Sequence, residues 1–519
     1  MNLAFSGRRN DFKSMSSPAE ISCFTFADAA APIPFDNTYA RLPEAFYQRV
    51  NPAAVTAPRL LRVNDALACQ LRIDPKFLKS PEGVAVLSGN EIAPGSEPIA
   101  QAYAGHQFGD FVPQLGDGRA VLLGEVVDVA GKRFDLQLKG SGRTRFSRGG
   151  DGRAALGPVI REYIVSEAMA ALGIPTTRSL AVVLTGENVM RERVLPGGIL
   201  TRVASSHLRV GTFQYFAARG DIESLRALAD YAIARHYPEA RSAEDPYRAF
   251  YDAVVAALVR LSARWMLVGF IHGVLNTDNT AIGGEMIDYG PCAFIDAYRP
   301  DKVFSSIDQF GRYAFANQPA VVKWNLTRFA ETLLPLMADG GDKAIEAANA
   351  SIACFNDHFN TAYLAGMRQK LGLAREMEGD LELASDLLAR MAENDADFTL
   401  TFRALCEAAA HARGDEEVRA LFTDPSAFDE WAGRWRERLS LEERSAEARR
   451  TEMLSVNPMF IPRNHRIEAV IRDAETGRIE TFHELVEVLA HPFDDQPKFA
   501  DYAKPPQPEE EVRQTFCGT

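Results

Sequence analysis

Apolar and polar residues alternate along Phe134, Asp135, Leu136, Gln137, Leu138 and Lys139. That is the period-two pattern of a half-buried strand, with its lysine on the polar face. Upstream, Phe111 to Leu115 is a short apolar run, Gly116 to Arg119 a glycine-rich turn, and Ala120 to Val127 an apolar strand. Together the three predict a hairpin with a glycine-rich tip. Downstream the period becomes helical: Pro158 starts the helix, Val159, Ile160, Tyr163, Ile164 and Leu172 supply its apolar stripe, and Gly173 stops it. Glu162 falls in its second turn. A second start, Asp245-Pro246, leads through Phe250, Val254, Leu258 and Leu261 into a polar loop at His272. From about 305 to 450 the periodicity is again helical, with charged faces such as 434–450 that read as solvated. Prolines and glutamates at 505–511 read as a flexible tail carrying Cys517, and no internal repeat is visible.

These elements predict an α+β protein. Residues 1–95 read as an N-terminal extension with turn-rich patches, and 96–215 as a β-rich unit. Residues 216–410 read as a helical unit carrying the polar loop, and 411–519 as a helical C-terminal region ending in the tail. Glycine hairpin, strand lysine and helix glutamate, in that order, is the layout of a kinase small lobe. The expected architecture is therefore a protein-kinase-like, two-lobed fold: a β-rich small lobe, a helical large lobe, and extensions at both ends.

Composition narrows the class. At 519 residues, 46% hydrophobic and 24% charged, the chain is an ordinary globular sequence with ample core. A net charge of -13 disfavours nonspecific attraction to nucleic acid or anionic membrane, so any anionic ligand must be held by a local cluster. No apolar run approaches the ~20 residues of a spanning helix, and the N-terminus, with Arg8, Arg9, Asp11 and Lys13, lacks a continuous signal-peptide core. A cytoplasmic monomer is the simplest expectation. Six scattered cysteines contain no C-x-x-C pair, and nine histidines show no metal-binding spacing.

The loop at His272 carries the strongest chemical signal. In a kinase catalytic loop, H-R-D-x-x-x-x-N, the aspartate lies two residues after the histidine and a metal-binding asparagine seven after it. Here Asn279 holds the seventh position but Val274 the second, and a valine can neither orient a hydroxyl nor take its proton. A carboxylate stands instead at Asp278, and Asp288-Tyr289-Gly290 occupies the place of the kinase D-F-G. Metal and base chemistry stay open, around a differently placed nucleotide. Taken singly, each element has an ordinary structural reading: a hairpin turn, a surface lysine, a loop bonding its own backbone. Their joint order, Gly118, Lys139, Glu162, Asn279, Asp288, points to a nucleotide site.

Longer motifs carry a resemblance: Asp36 to Pro43, Tyr103 to Gly109, Gln114 to Arg119, Leu138 to Gly140, Gly150 to Ala154, Ser205 to Thr212, Asn276 to Asn279, Asn457-Pro458 and Ile461 to His465. On these, spread over nearly the whole length, the chain resembles the selenoprotein O family of kinase-fold protein adenylyltransferases. It differs in carrying Leu275 where the family often has Met, and Cys517 where some members have selenocysteine. The resemblance implies a nucleotide bound in reverse relative to a kinase, with the α-phosphate at the catalytic centre. It makes Asp278 the proton acceptor and assigns Mg²⁺ or Mn²⁺ to Asn279 and Asp288. Lys139, tied to Glu162, is expected with Arg202 and Arg209 at the outer phosphates of ATP. Gly116, Gly118, Arg119, Asp151 and Gly152 complete the nucleotide contacts, Asp151 at base or sugar because two anions repel. Cys292 and Cys517 are implied as a switchable disulfide.

Three functions follow. The first is adenylyl transfer to Ser, Thr or Tyr hydroxyls of protein substrates. The second is an ordinary phosphotransferase with a displaced base; outer-phosphate arginines argue against it, because a kinase leaves the γ-phosphate free to react. The third is a silent ATP-binding scaffold, against which intact Asp278, Asn279 and Asp288 argue.

Overall fold

The computed structural model describes residues 31–337 and 340–516. The N-terminal stretch read above for a signal core lies outside them, as does Cys517. An antiparallel sheet occupies the first part of the chain. Its strands are β1 (Tyr47–Arg49), β2 (Arg59–Val63), β3 (Ile99–Gln101), β6 (Ala120–Val127), β7 (Arg133–Lys139), β8 (Ala154–Ala155), β9 (Arg178–Met190) and β10 (Val194–Ala204). They run in the order β1-β3-β6-β7-β10-β9-β2, with β8 paired to β10. β1 and β2 come from before residue 95 and the rest from after it, so one sheet is built from both sides of that position. A separate two-stranded hairpin joins β4 (Gly105–Gln107) to β5 (Asp110–Val112).

That hairpin corrects one sequence expectation. Asp110–Val112 pairs backward with Gly105–Gln107, turning at Phe108 and Gly109, both at positive φ, whereas Ala120–Val127 pairs with β3 and β7. The glycine-rich stretch 116–119 is thus a crossing segment, not a hairpin tip. The cause is Asp117, which is buried and bonds Gln101 through its backbone N–H (2.9 Å) and its carboxylate (3.0 Å). A carboxylate buried this way must be satisfied locally, and the satisfied geometry pins the chain to β3.

Strand β7 also departs from a half-buried reading. Leu136 and Leu138 are buried, and so are Asp135, Gln137 and Lys139 on the opposite face. On that face Arg235 meets Asp135, Gln137 donates to Asp117, and the helix Leu156–Ala171 brings Glu162 to Lys139; the helix begins two residues before Pro158 and ends short of Gly173, whose φ is 75°. Gly157 lies against Ile471 of the helix Asn464–Glu475, and Arg161 reaches Glu468 of the same helix. The C-terminal region therefore braces the helix that carries Glu162.

The rest of the chain is helical. Asp245 caps the helix Pro246–Val268 by accepting from the N–H groups of Tyr247 and Arg248 (both 3.1 Å), and Gly269 closes it in the left-handed region. Phe250, Val254, Leu258 and Leu261 are buried, as the helical period requires. No helix among the described residues is long and apolar enough to cross a membrane.

One buried cation stands apart from the candidate site. The Lys370 amine sits 4.3 Å from the Phe402 ring, and burial pulls its pKa down to about 7. An amine whose folded pKa lies below its unfolded value binds fewer protons folded than unfolded, so stability rises as pH climbs from about 7 toward 10. Lys370→Met is expected to stabilise the fold at pH 6 to 7 by on the order of a few kcal/mol, seen as a higher melting temperature, and to flatten that rise. Thermal unfolding across pH checks it; an unchanged pH profile in the variant excludes this account.

Candidate active site

The β7–β10 register sets Gln137 opposite Arg202 and Lys139 opposite Leu200. Alternation then places Lys139, Gln137 and Arg202 on one face, where the helix Leu156–Ala171 delivers Glu162. Lys139 Nζ lies 2.5 Å from Glu162 Oε2 and 3.9 Å from Asp288 Oδ1. Arg202 forks onto both Glu162 oxygens and reaches Asp288 Oδ1 at 3.1 Å. Two cations thus share two carboxylates, with Lys139, Glu162 and Arg202 all buried.

Burial alone would push the Glu162 carboxyl up, but Arg202 and Lys139 hold it below its usual range. Burial acts on Asp288 in the same sense and is overcome by Lys139, Arg202, Arg119 and Arg209, which keep its carboxyl well below the ordinary value. Desolvation lowers the Lys139 amine, with Glu162 opposing. The cluster is stable as four charges because each sign offsets the other; removing one leaves a buried charge uncompensated.

The polar loop comes to this cluster through Asn276–Asn279, whose last three residues form one 3-10 turn. Asn279 Nδ2 donates to the Val274 carbonyl at 3.0 Å, which turns its Oδ1 the other way. Val274, at the kinase aspartate's position, contributes only backbone. Asp278 is 6% exposed; Gln107 Nε2 donates to its Oδ2 at 3.3 Å, and its Oδ1 has no hydrogen-bond partner. Burial lifts the Asp278 pKa to about 6, with Arg209 opposing. Arg209 stacks on the Tyr103 ring at 4.3 Å and donates to the Asp278 carbonyl at 3.0 Å. Asp288 has φ 67°, a left-handed conformation that aspartate tolerates and that the Gly290 N–H to Asp288 carbonyl bond (3.0 Å) accompanies.

The crossing segment contributes next. Gly116, at φ 81°, lies under the Phe146 ring, and a Cβ on Gly118 would press on the Phe146 carbonyl, so neither position has room for a side chain. Arg119 is close enough for its charge to act on Lys139 and Asp288. Asp151 and Gly152 lie apart from the four-charge cluster. Asp151 pairs with Arg191 at 2.8 and 3.1 Å and accepts from the Arg153 N–H, while Gly152 backs onto Gly142. Cys292 is buried, its thiol pushed up to about 12 by desolvation. Its implied partner Cys517 lies outside the described residues; Thr515, two positions before it, donates to the carbonyl of Pro291 at 2.5 Å.

Sequence reasoning passed over Asp117, Tyr103 and Gln107 as site residues. Asp117 Oδ1 lies 3.9 Å from Arg209, and Gln107 touches Asp278. The available signal was the Tyr103 to Gly109 motif for Tyr103 and Gln107, and the Gln114 to Arg119 motif for Asp117. Among the described residues no group of three or more His, Cys, Asp or Glu side chains is arranged to hold a metal.

Comparison with known proteins places the chain in a family. The family described as Protein adenylyltransferase SelO matches residues 30–490. A Protein nucleotidyltransferase YdiU from Nitrobacter winogradskyi is 86% identical over 505 residues, covering 97% of this chain and 100% of the relative. Proteins of the same name from Rhodopseudomonas palustris strain HaA2 and Bradyrhizobium diazoefficiens are 62% and 61% identical, each covering 94% of this chain and 99% of the relative. The chain belongs to the protein adenylyltransferase SelO family, and it is a nucleotidyltransferase.

Proposed function

We propose that the protein transfers AMP from ATP to Ser, Thr or Tyr hydroxyls of protein substrates, on a kinase-like two-lobed scaffold holding the nucleotide in reverse. The observation that carries this reading is Asp278: a buried carboxylate with one unpartnered oxygen, next to Asn279, in a loop whose kinase-aspartate position is a valine. In the transfer the acceptor oxygen bonds to the α-phosphorus as the bond to the bridging oxygen of the β-phosphate breaks. Pyrophosphate leaves with that electron pair, and the acceptor proton passes to Asp278.

Lys139, Arg202 and Arg209 hold the outer phosphates in this reading. Guanidinium forks suit phosphate oxygens, and a terminal phosphate engaged this way is withdrawn from reaction. Asn279 Oδ1 and the Asp288 carboxylate would hold Mg²⁺ or Mn²⁺. Two protein oxygens with no larger ligand cluster suit a cation that keeps waters and arrives on the phosphates. When bound, such an ion neutralises charge on the triphosphate. Burial of Lys139 and Arg202 excludes water from the same face, which strengthens every charge interaction there.

Labelled ATP tests the reading. With a heat-treated bacterial lysate as acceptor pool, label from the α position is expected to become protein-bound and label from the γ position to leave as pyrophosphate. Protein-bound γ label makes the enzyme a kinase; neither label makes it a scaffold.

A further inference from the structure

The hairpin of β4 and β5 stands off the main sheet, and none of the transfer chemistry above uses it. Its contacts fall on the catalytic loop. The His106 N–H donates to Thr277 Oγ1 at 2.6 Å, Gln107 Nε2 to Asp278 Oδ2 at 3.3 Å, and the Phe108 N–H to Asn276 Oδ1 at 3.1 Å. Three consecutive hairpin residues thus hold three consecutive loop residues.

Two further bonds stiffen the seam: Thr277 Oγ1 donates to Gln214 Oε1 at 2.7 Å, and Gln214 Nε2 meets His106 Nδ1 at 2.8 Å. Gly105 makes the approach possible, because a Cβ there would overlap the Asp278 carboxylate. The backbone contacts bind the loop, but only Gln107 reaches the carboxylate itself with a side chain. An ionised carboxylate can only accept, so the amide nitrogen is the end that faces it.

We propose that Gln107 is a positioning residue for the transfer step, its amide fixing the Asp278 carboxylate in the single orientation from which it takes the acceptor proton. This rests on Asp278 being the proton acceptor. Without the amide, the carboxylate rotates within the space that Gly105 leaves, and a misplaced base loses rate without any loss of nucleotide affinity.

The full-length chain carrying Gln107→Leu, Gln107→His or Asp278→Ala, assayed with α-labelled ATP and the heat-treated lysate, tests it. Gln107→Leu is expected to lower kcat roughly ten- to a hundredfold, with KM for ATP, ATP binding and melting temperature unchanged. Gln107→His puts an imidazole N–H near the same reach and is expected to restore most of the rate. The proposal is overturned if Gln107→Leu keeps the wild-type kcat, if its loss comes with an equal loss of ATP binding or fold stability, or if Gln107→His is no better. Asp278→Ala separates the two levels. If it is inactive while Gln107→Leu is normal, only the positioning role fails; if it stays active, the proton-acceptor reading fails and this one with it.

Discussion

Asp278→Ala is expected to lower α-label transfer by about 10²- to 10⁴-fold while ATP binding persists, the range a general base contributes. The residue has no role in holding the cluster, since Lys139, Arg202 and Asp288 meet one another without it. Its loss removes one proton acceptor and little packing. The same carboxylate gives a pH expectation. Burial raises its pKa to about 6, so it is charged and able to accept above that value and protonated below it. Transfer is expected to fall as pH drops through about 6, whereas Asp288, held well below the ordinary range, keeps its charge throughout. Transfer rates and equilibrium ATP binding, measured side by side on the variant, decide the matter. Wild-type transfer by Asp278→Ala would remove the base from the mechanism.

Glu162→Gln is expected to carry the second large effect, on stability and activity together. Glu162 is 1% exposed and neutralises Lys139 and Arg202, both buried. Taking one partner from such a group costs about 3–5 kcal/mol, because the remaining charges stay desolvated. Asp288 alone is left to balance two cations at 3.1 and 3.9 Å, so the nucleotide site loses its geometry as well. The sign with pH follows from the lowered carboxyl. Its stabilisation is fully present above the unfolded carboxylate pKa and is lost as pH falls through the lower folded value, so the gap between wild type and variant narrows in acid. Thermal unfolding at pH 7 and pH 4 measures both parts; a variant as stable as wild type at pH 7 excludes the four-charge account.

Much of this site is readable from residue order because its parts lie on regular elements. Lys139 ends a strand of strict alternation and Glu162 sits in a helix whose ends Pro158 and Gly173 mark to within two residues, so period and punctuation indicate which way each side chain faces. Asp245-Pro246 is a helix start whatever surrounds it, since capping is local. The hairpin was misread for the complementary reason. Glycines at 116 and 118 serve a turn equally well at a hairpin tip or in a crossing segment, and only the burial of Asp117 against Gln101 selects the second. The burial of the polar side of β7 was not legible either, because alternation records that one side is polar, not what covers it.

Motif and period together were enough to name the family, the lysine–glutamate pair, the candidate base at Asp278 and the carboxylate at Asp288. Packing alone decided that Arg202 forks onto Glu162, that Asp151 turns to Arg191 instead of the charged cluster, and that Gln107 meets Asp278. Those contacts join residues 40 and 171 positions apart in the chain. Local periodicity carries no information across such separations; the closing of the sheet and the seating of the hairpin on the loop do.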